Sequence, residues 1–345
     1  MPSLIKPPRL RPGDIVATVS LSWGGAGDEN ILWRYQQGKA RLEARFGLRV
    51  VEMPHTLAGT AYAYEHPQER AADLMQAFTD PCIQAIFCCI GGEETIRLLP
   101  YIDFAVIRRH PKIFMGYSDT TVNHLMCWKA GLSSFYGPAV LSDFAENLRL
   151  PAYTEKWVKK ALFSPEPLGQ VEPAGEWTAE FLRWDIENQK TARRFQPNGG
   201  YRLLQGSGTV TGRLLGGCLE VFDWLRGTPL FPDPEDFNGA ILFLETSEEK
   251  PVPKAVRYML RSLGAMGLLD RIHGMVWGKP YEEAYREEYA VEIRTVLKEY
   301  GREDLPVLTN LSFGHCEPKC VIPYGALAQI DCESRTFSIL ENAVV

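Results

Sequence analysis

Gly116-Tyr117-Ser118-Asp119-Thr120 follows the apolar run Ile113-Phe114-Met115 and precedes Thr121-Val122-Asn123-His124-Leu125-Met126, which reads as a helix. A strand, a tight turn carrying one serine and then a helix is the layout of a nucleophile elbow. Such a turn lifts the serine oxygen above the sheet edge and points backbone N–H groups at any oxyanion that forms there. The chemistry on offer is attack on a carbonyl. Thr120 stands where the Gly-x-Ser-x-Gly form has its second glycine, and a serine that only caps the helix is the other reading of the same residues.

Two distant residues extend the first reading. Glu245 closes the apolar run Ala240-Ile241-Leu242-Phe243-Leu244, and His315 sits in Ser312-Phe313-Gly314-His315 between two expected strands. The order Ser, acid, His is the one found with nucleophile elbows, although geometry and not order defines a triad. In these roles His315 takes the Ser118 proton as general base, and Glu245 fixes the imidazole tautomer and stabilises the imidazolium. A carboxylate at a strand end also serves as a cap or ion-pair partner. His55, His66, His110, His124 and His273 compete with His315, and His124 is turned from Ser118 by six residues of helix.

Further motifs lie along the chain: Leu10-Arg11-Pro12-Gly13-Asp14-Ile15, Arg70-Ala71-Ala72-Asp73-Leu74 before Phe78-Thr79-Asp80-Pro81, Gly91-Gly92 with Leu98-Leu99-Pro100-Tyr101-Ile102-Asp103, Tyr136-Gly137-Pro138, Gly212-Arg213-Leu214-Leu215-Gly216-Gly217 and Phe313-Gly314-His315. In this order and spacing, with the Ser118 turn, the chain resembles the serine peptidases that group LD-carboxypeptidases with microcin C self-immunity proteins of the MccF type. The resemblance covers nearly the whole length. It implies Ser118 as nucleophile, Glu245 and His315 as its partners, and the N–H groups of Gly92 and Asp119 as the oxyanion hole. Glycine after the run Ala85–Ile90 suits that role, because it lets backbone approach a ligand closely. The resemblance also implies a homodimer, and either an L,D-linked muropeptide or an aminoacyl-nucleotide antibiotic as substrate. Two departures stand out: Cys218 where related chains carry asparagine, and Glu93-Glu94 beside the glycine pair, where two carboxylates would repel an anionic substrate.

The elements that position these residues follow from periodicity. Ile15–Val19, a helix through Ala40–Phe46, Arg49–Met53 and a helix around Ala71–Ala77 give a βαβ rhythm, hence an α/β fold with a doubly wound, mostly parallel N-terminal sheet. Ligands bind beyond the carboxyl ends of such strands, where Gly92 and Ser118 both fall. Residues 1–150 are expected to carry the nucleophile, and 151–205 to be a linker and substrate loop. Residues 206–345 are expected to form a smaller β-rich domain carrying Glu245 and His315, with Cys320-Val321-Ile322 and Leu327–Asp331 as its closing strands. Residues 150–203 lack strong periodicity and contain Pro165, Pro167, Pro173 and Pro197 with Trp177 and Trp184. Loop tryptophans argue against a disordered linker. The MccF resemblance implies that Trp177 or Trp184 stacks on a flat substrate ring; packing between domains is the other reading.

At 345 residues and 45% apolar content the chain suits two domains. Its net charge of −6 and the lack of a basic run argue against nucleic acid as a partner. The scattered arginines, Arg193 and Arg194 among them, read as solvated. The eight cysteines have no repeated Cys-x-x-Cys spacing and read as reduced thiols. His315-Cys316 with Cys320 is the cluster nearest to a metal site, but no second pair of ligands accompanies it, so neither metal nor cofactor is expected. No apolar stretch nears the roughly 20 residues of a membrane helix, and Met1–Pro8 lacks a signal-peptide core, so a cytoplasmic location is expected. A non-catalytic ligand-binding protein on the same fold remains the alternative. A dinucleotide enzyme is disfavoured, because Ser20–Gly27 lacks the Gly-x-Gly-x-x-Gly turn.

Overall fold

The computed structural model describes residues 4–345; of the proline-rich start read above, Met1, Pro2 and Ser3 lie outside the described residues. In the N-terminal half, strands Ile15–Val19, Arg49–Glu52, Ile83–Cys88, Ile113–Gly116 and Phe135–Tyr136 pair in parallel. Helices Leu32–Phe46, Pro67–Thr79, Phe104–Arg109 and Thr121–Ala130 supply the crossovers that parallel pairing requires. The central strands are continuous apolar runs, as expected of a sheet covered on both faces: Ile113–Gly116 is buried at every position.

The second sheet has eight strands. Its middle four, Thr209–Cys218, Ile241–Glu245, Gly274–Gly278 and Val307–Leu311, pair in parallel. Leu327–Asp331, Thr336–Ile339 and Gly169–Gln170 extend one edge antiparallel, and Arg202–Gln205 closes the other. Helices Leu219–Trp224, Pro253–Ala265 and Arg286–Glu299 link the parallel strands. The last two follow the apolar spacing of the sequence, burying Val256, Leu260 and Leu263 in one and Ile293, Val296 and Leu297 in the other.

Two elements differ from the sequence reading. Ile322–Pro323, expected to close the C-terminal sheet, instead pairs antiparallel with Phe135–Tyr136 on the N-terminal sheet. The pairing covers an otherwise open edge, and it lets Tyr324 pack edge-on and Tyr136 tilted against Phe243 of the other sheet. The stretch after Leu150 contains a real helix, Ala152–Phe163, burying Trp157, Val158, Ala161 and Leu162. It starts just after Pro151, and the prolines that masked its pattern, from Pro165 onward, lie beyond its end.

Both sheets direct strand carboxyl ends to one place. Ile83–Cys88 runs out toward Gly91-Gly92, Ile113–Gly116 into Ser118, Ile241–Glu245 ends on Glu245, and Val307–Leu311 leads to His315.

Candidate active site

Ser118 has φ +65°, the left-handed region that costs a non-glycine residue roughly 1–2 kcal/mol. The surroundings hold it there. Its N–H donates to Tyr136 Oη at 3.1 Å. A Cβ on Gly91 would stand 2.8 Å from Ser118 Cβ and 3.0 Å from Oγ, so only glycine fits against the serine. The Asp119 side chain anchors the turn from below, accepting from Ser22 Oγ at 2.6 Å and Thr95 N–H at 3.0 Å. Burial raises its pKa, and these donors offset part of that rise. The Asp119 N–H lies in the first helical turn, where no helix carbonyl is available to it. It is free to face an oxyanion.

Glu245 is fully buried at its strand end. One carboxylate oxygen accepts from His315 Nδ1 at 2.7 Å and the other from Tyr136 Oη. Tyr136 therefore ties the acid to the backbone of the serine turn. The Phe-Gly-His spacing has a steric cause: Gly314 has φ +92°, and a Cβ there would meet Glu245 Oε2 at 2.6 Å. The Tyr117 ring packs edge-on against the imidazole, with centroids 5.0 Å apart.

His315 Nε2, the nitrogen a base would turn toward Ser118, instead lies 3.0 Å from Glu248 Oε2. The contact is an ion pair without hydrogen-bond alignment, for Nε2 has no hydrogen-bond partner. Among the described residues no hydrogen bond joins Ser118 to the imidazole. Burial pulls the His315 pKa down, but the charges and contacts of Glu245 and Glu248 outweigh it and lift the group to about 10. His315 in turn holds Glu248 at about 2. The arrangement at rest is an imidazolium between two carboxylates.

Ser118, Gly91, Gly92, His315 and Glu248 line a cleft of about 340 Å³, the size of a small-molecule site. Its far wall is aromatic. Trp184 lies 6.1 Å from Trp23, its carbonyl accepts from Trp33 Nε1 at 3.1 Å, and the Arg34 guanidinium sits 4.7 Å from its ring centroid. Arg193, read from sequence as solvated, is instead enclosed, paired with Glu146 and, at 3.0 Å, with Glu317. Lys319 is buried between Asp143 at 2.7 Å and Glu317 at 3.3 Å, with the Tyr117 ring 4.0 Å away. Arg193–Glu317 binds the 178–197 segment to the loop carrying His315, and Arg193–Glu146 and Lys319–Asp143 tie both to the turn at 143–146. Carboxylates of this kind, gathered from distant segments, are what drew Arg193 inside.

The structure thus brings Ser118, Gly92, Asp119, Glu245, His315 and Trp184 around one cleft. Trp177 stands apart, buried against Ala179, Cys316 and Tyr281 with Lys279 over its ring, while Thr178 exchanges backbone hydrogen bonds with Glu317. His124 faces away from the cleft, bonded to Gly116 O and Ser134 Oγ, and burial lowers it to about 3. Cys218 is buried, its N–H donating to Thr121 Oγ1, and all eight cysteines are free thiols. Glu93 and Glu94 line a neighbouring hollow, with Glu94 paired to Arg97, so neither stands in the Ser118 cleft. Tyr136, Glu248 and Arg193 were given no role in the sequence reading. Tyr136 lay within a quoted motif; the other two are ordinary surface types in ordinary surroundings, and the sequence carries no signal for them.

The fold is that of an α/β peptidase, with Ser118 on a strand-to-helix turn. Residues 16–137 match the LD-carboxypeptidase N-terminal domain and residues 211–330 its C-terminal domain, so the chain belongs to the LD-carboxypeptidase family, in which the MccF proteins also fall. An MccF-like protein from Streptococcus pneumoniae, solved in complex with AMP, is 34% identical and superposes with a TM-score of 0.87 over 94% of this chain and 98% of that one. The microcin C7 self-immunity protein MccF of Escherichia coli is 29% identical over 80% of this chain and 79% of its own length. A structure of MccF in complex with aspartyl sulfamoyl adenosine has a TM-score of 0.85 and 26% identity, over 99% of this chain and 100% of that one. The murein tetrapeptide carboxypeptidase of Pseudomonas aeruginosa is 24% identical over 80% of this chain and 79% of its own length. Relatives that are peptidases do not favour the non-catalytic alternative. Among the described residues, no helix is long and apolar enough to cross a membrane.

Proposed function

We propose that this peptidase uses Ser118, His315 and Glu245 to hydrolyse the amide of an aminoacyl-nucleotide. Ser118 Oγ attacks the acyl carbonyl while His315 Nε2 takes its proton. Glu245 stabilises the imidazolium, and the N–H groups of Gly92 and Asp119 receive the oxyanion. His315 then protonates the leaving nitrogen and activates the water that frees Ser118. Residues 1–150 supply the nucleophile, 151–205 the substrate loop and 206–345 the acid and base.

The observation that carries this reading is the strained Ser118 sharing a cleft with the Glu245–His315 pair. The Trp23–Trp184 wall with Arg34 favours the nucleotide branch over the L,D-muropeptide branch, since a flat ring gains stacking there. Trp177 is not part of that wall, packing instead against Cys316 and Tyr281. No cofactor takes part. We further propose that the protein acts in the cytoplasm as a homodimer, which sedimentation of the purified chain tests.

Single-turnover hydrolysis of aspartyl sulfamoyl adenosine and of an L,D-muropeptide, by wild type and Ser118→Ala, tests the assignment. The expected result is cleavage of the adenosine compound, lost in the variant by a factor of about a million, the size seen when a catalytic serine is removed. Muropeptide cleavage alone would move the protein to the other branch. Equal rates in the variant would remove Ser118 from the mechanism.

A further inference from the structure

Under the proposed mechanism His315 Nε2 accepts a proton from Ser118, yet Glu248 occupies its approach at 3.0 Å. The other carboxylate lining the cleft, Glu317, is neutralised by Arg193 and Lys319. Glu248 has no structural cation: among the described residues its one ionic partner is His315, and its side chain is 56% exposed. The loop carrying it is fixed on both sides. Ser247 N–H and Oγ both bond to Glu220, and Lys250 pairs with Glu282. A carboxylate held at the mouth of the cleft, beside the reacting atoms and free to exchange partners, is built to receive a cation from the substrate.

An α-ammonium is two bonds from the carbonyl carbon that Ser118 attacks, which places it within reach of a group contacting His315. We infer that Glu248 is a specificity-determining residue that binds the free α-ammonium of the aminoacyl group and, in leaving His315 to do so, frees the general base. The inference rests on the proposed hydrolase reading. Charge and protons balance: the ammonium replaces the imidazolium beside Glu248, and the Nε2 proton passes to water through the open cleft. The groups facing the imidazole are Glu245 from its strand, Glu248 from the next loop, the Tyr117 ring from the serine turn with Lys319 behind it, and Cys316 and Glu317 on its own loop. Of these, Glu248 alone is both charged and exposed. The near-alkaline pKa of His315 at rest agrees with a base that is blocked until substrate arrives. Donors whose amino group is acylated leave the block in place.

The test compares kcat/KM for aspartyl sulfamoyl adenosine and its N-acetyl derivative, in wild type and Glu248→Gln, across pH. Wild type should prefer the free amine by about 10- to 100-fold, the range of one hydrogen bond to a charged group. In Glu248→Gln the preference should collapse, and the acid limb for the N-acetyl compound should move to lower pH. An unchanged preference with an unmoved limb overturns the inference. If wild type cleaves neither compound, the hydrolase reading fails, and titration of the His315 imidazole by NMR in the full chain still decides the gate. A pKa that drops in Glu248→Gln sustains it, and one that stays put overturns it.

Discussion

The two sides of the cleft are built by different physics. On the Ser118 side the geometry is made by backbone: a left-handed serine, a glycine pair pressed against it and a helix start supplying N–H groups. On the His315 side it is made by charged side chains gathered from distant segments, with Glu245, Glu248, Glu317, Arg193 and Lys319 fixing one loop. A backbone-built site tolerates no added atom, whereas a charge-built site depends on the state of each partner. Tyr136 joins the two, donating to Glu245 and accepting from Ser118.

The comparison breaks most visibly at Glu245. Glu245→Gln keeps the shape but presents the wrong partner to His315 Nδ1, and kcat should fall by about ten-thousandfold, as for the analogous change in a serine protease triad. A loss under tenfold would show that the carboxylate does not orient the base. Next in size is Arg193→Met, which leaves Glu146 and Glu317 enclosed without their cation. Removing one partner of a buried ion pair costs about 3–5 kcal/mol, which urea unfolding would read. The buried carboxylate on the Ser118 side, Asp119, is held by the neutral donors of Ser22 and Thr95 and not by an ion pair, so an Arg193 variant as stable as wild type would erase the distinction between the two sides.

A further effect is the pH dependence of stability. His315 is raised in the folded state from 6.5 to about 10, so the folded state binds its proton more tightly than the unfolded chain does. The stability from its carboxylate contacts is complete below the unfolded value, roughly 6.5, and is lost as pH rises through about 10. Urea midpoints for wild type should therefore decline across that window, and less steeply in His315→Gln. Identical slopes would mean that the imidazole is unpaired in solution.

What the sequence disclosed follows the same division. The Ser118 turn, the glycine pair and the parallel N-terminal sheet were legible because each is written in neighbouring residues: an apolar run, a turn, a helix start. Glu245 and His315 were legible by chain order and by the Phe-Gly-His spacing, whose glycine the carboxylate requires. Glu248 and Arg193 were not, because an ion pair formed across more than forty residues leaves no local pattern. The crossing of Ile322–Pro323 to the other sheet was hidden for a similar reason: a two-residue strand has too few positions to show a period, and its partner is set by tertiary packing. Trp177 and Trp184 read alike in sequence and separate only in space, one lining the cleft and one buried behind it.

The central claim is that Ser118 is the nucleophile of this cleft. Glu248→Gln, in which the block on His315 is removed, treated with a fluorophosphonate, digested and mapped by mass spectrometry should carry the phosphonyl group on the peptide containing Ser118, wild type should acquire it more slowly, and Ser118→Ala should carry none. Labelling on another serine, or a folded Glu248→Gln left unlabelled at Ser118, would contradict the account.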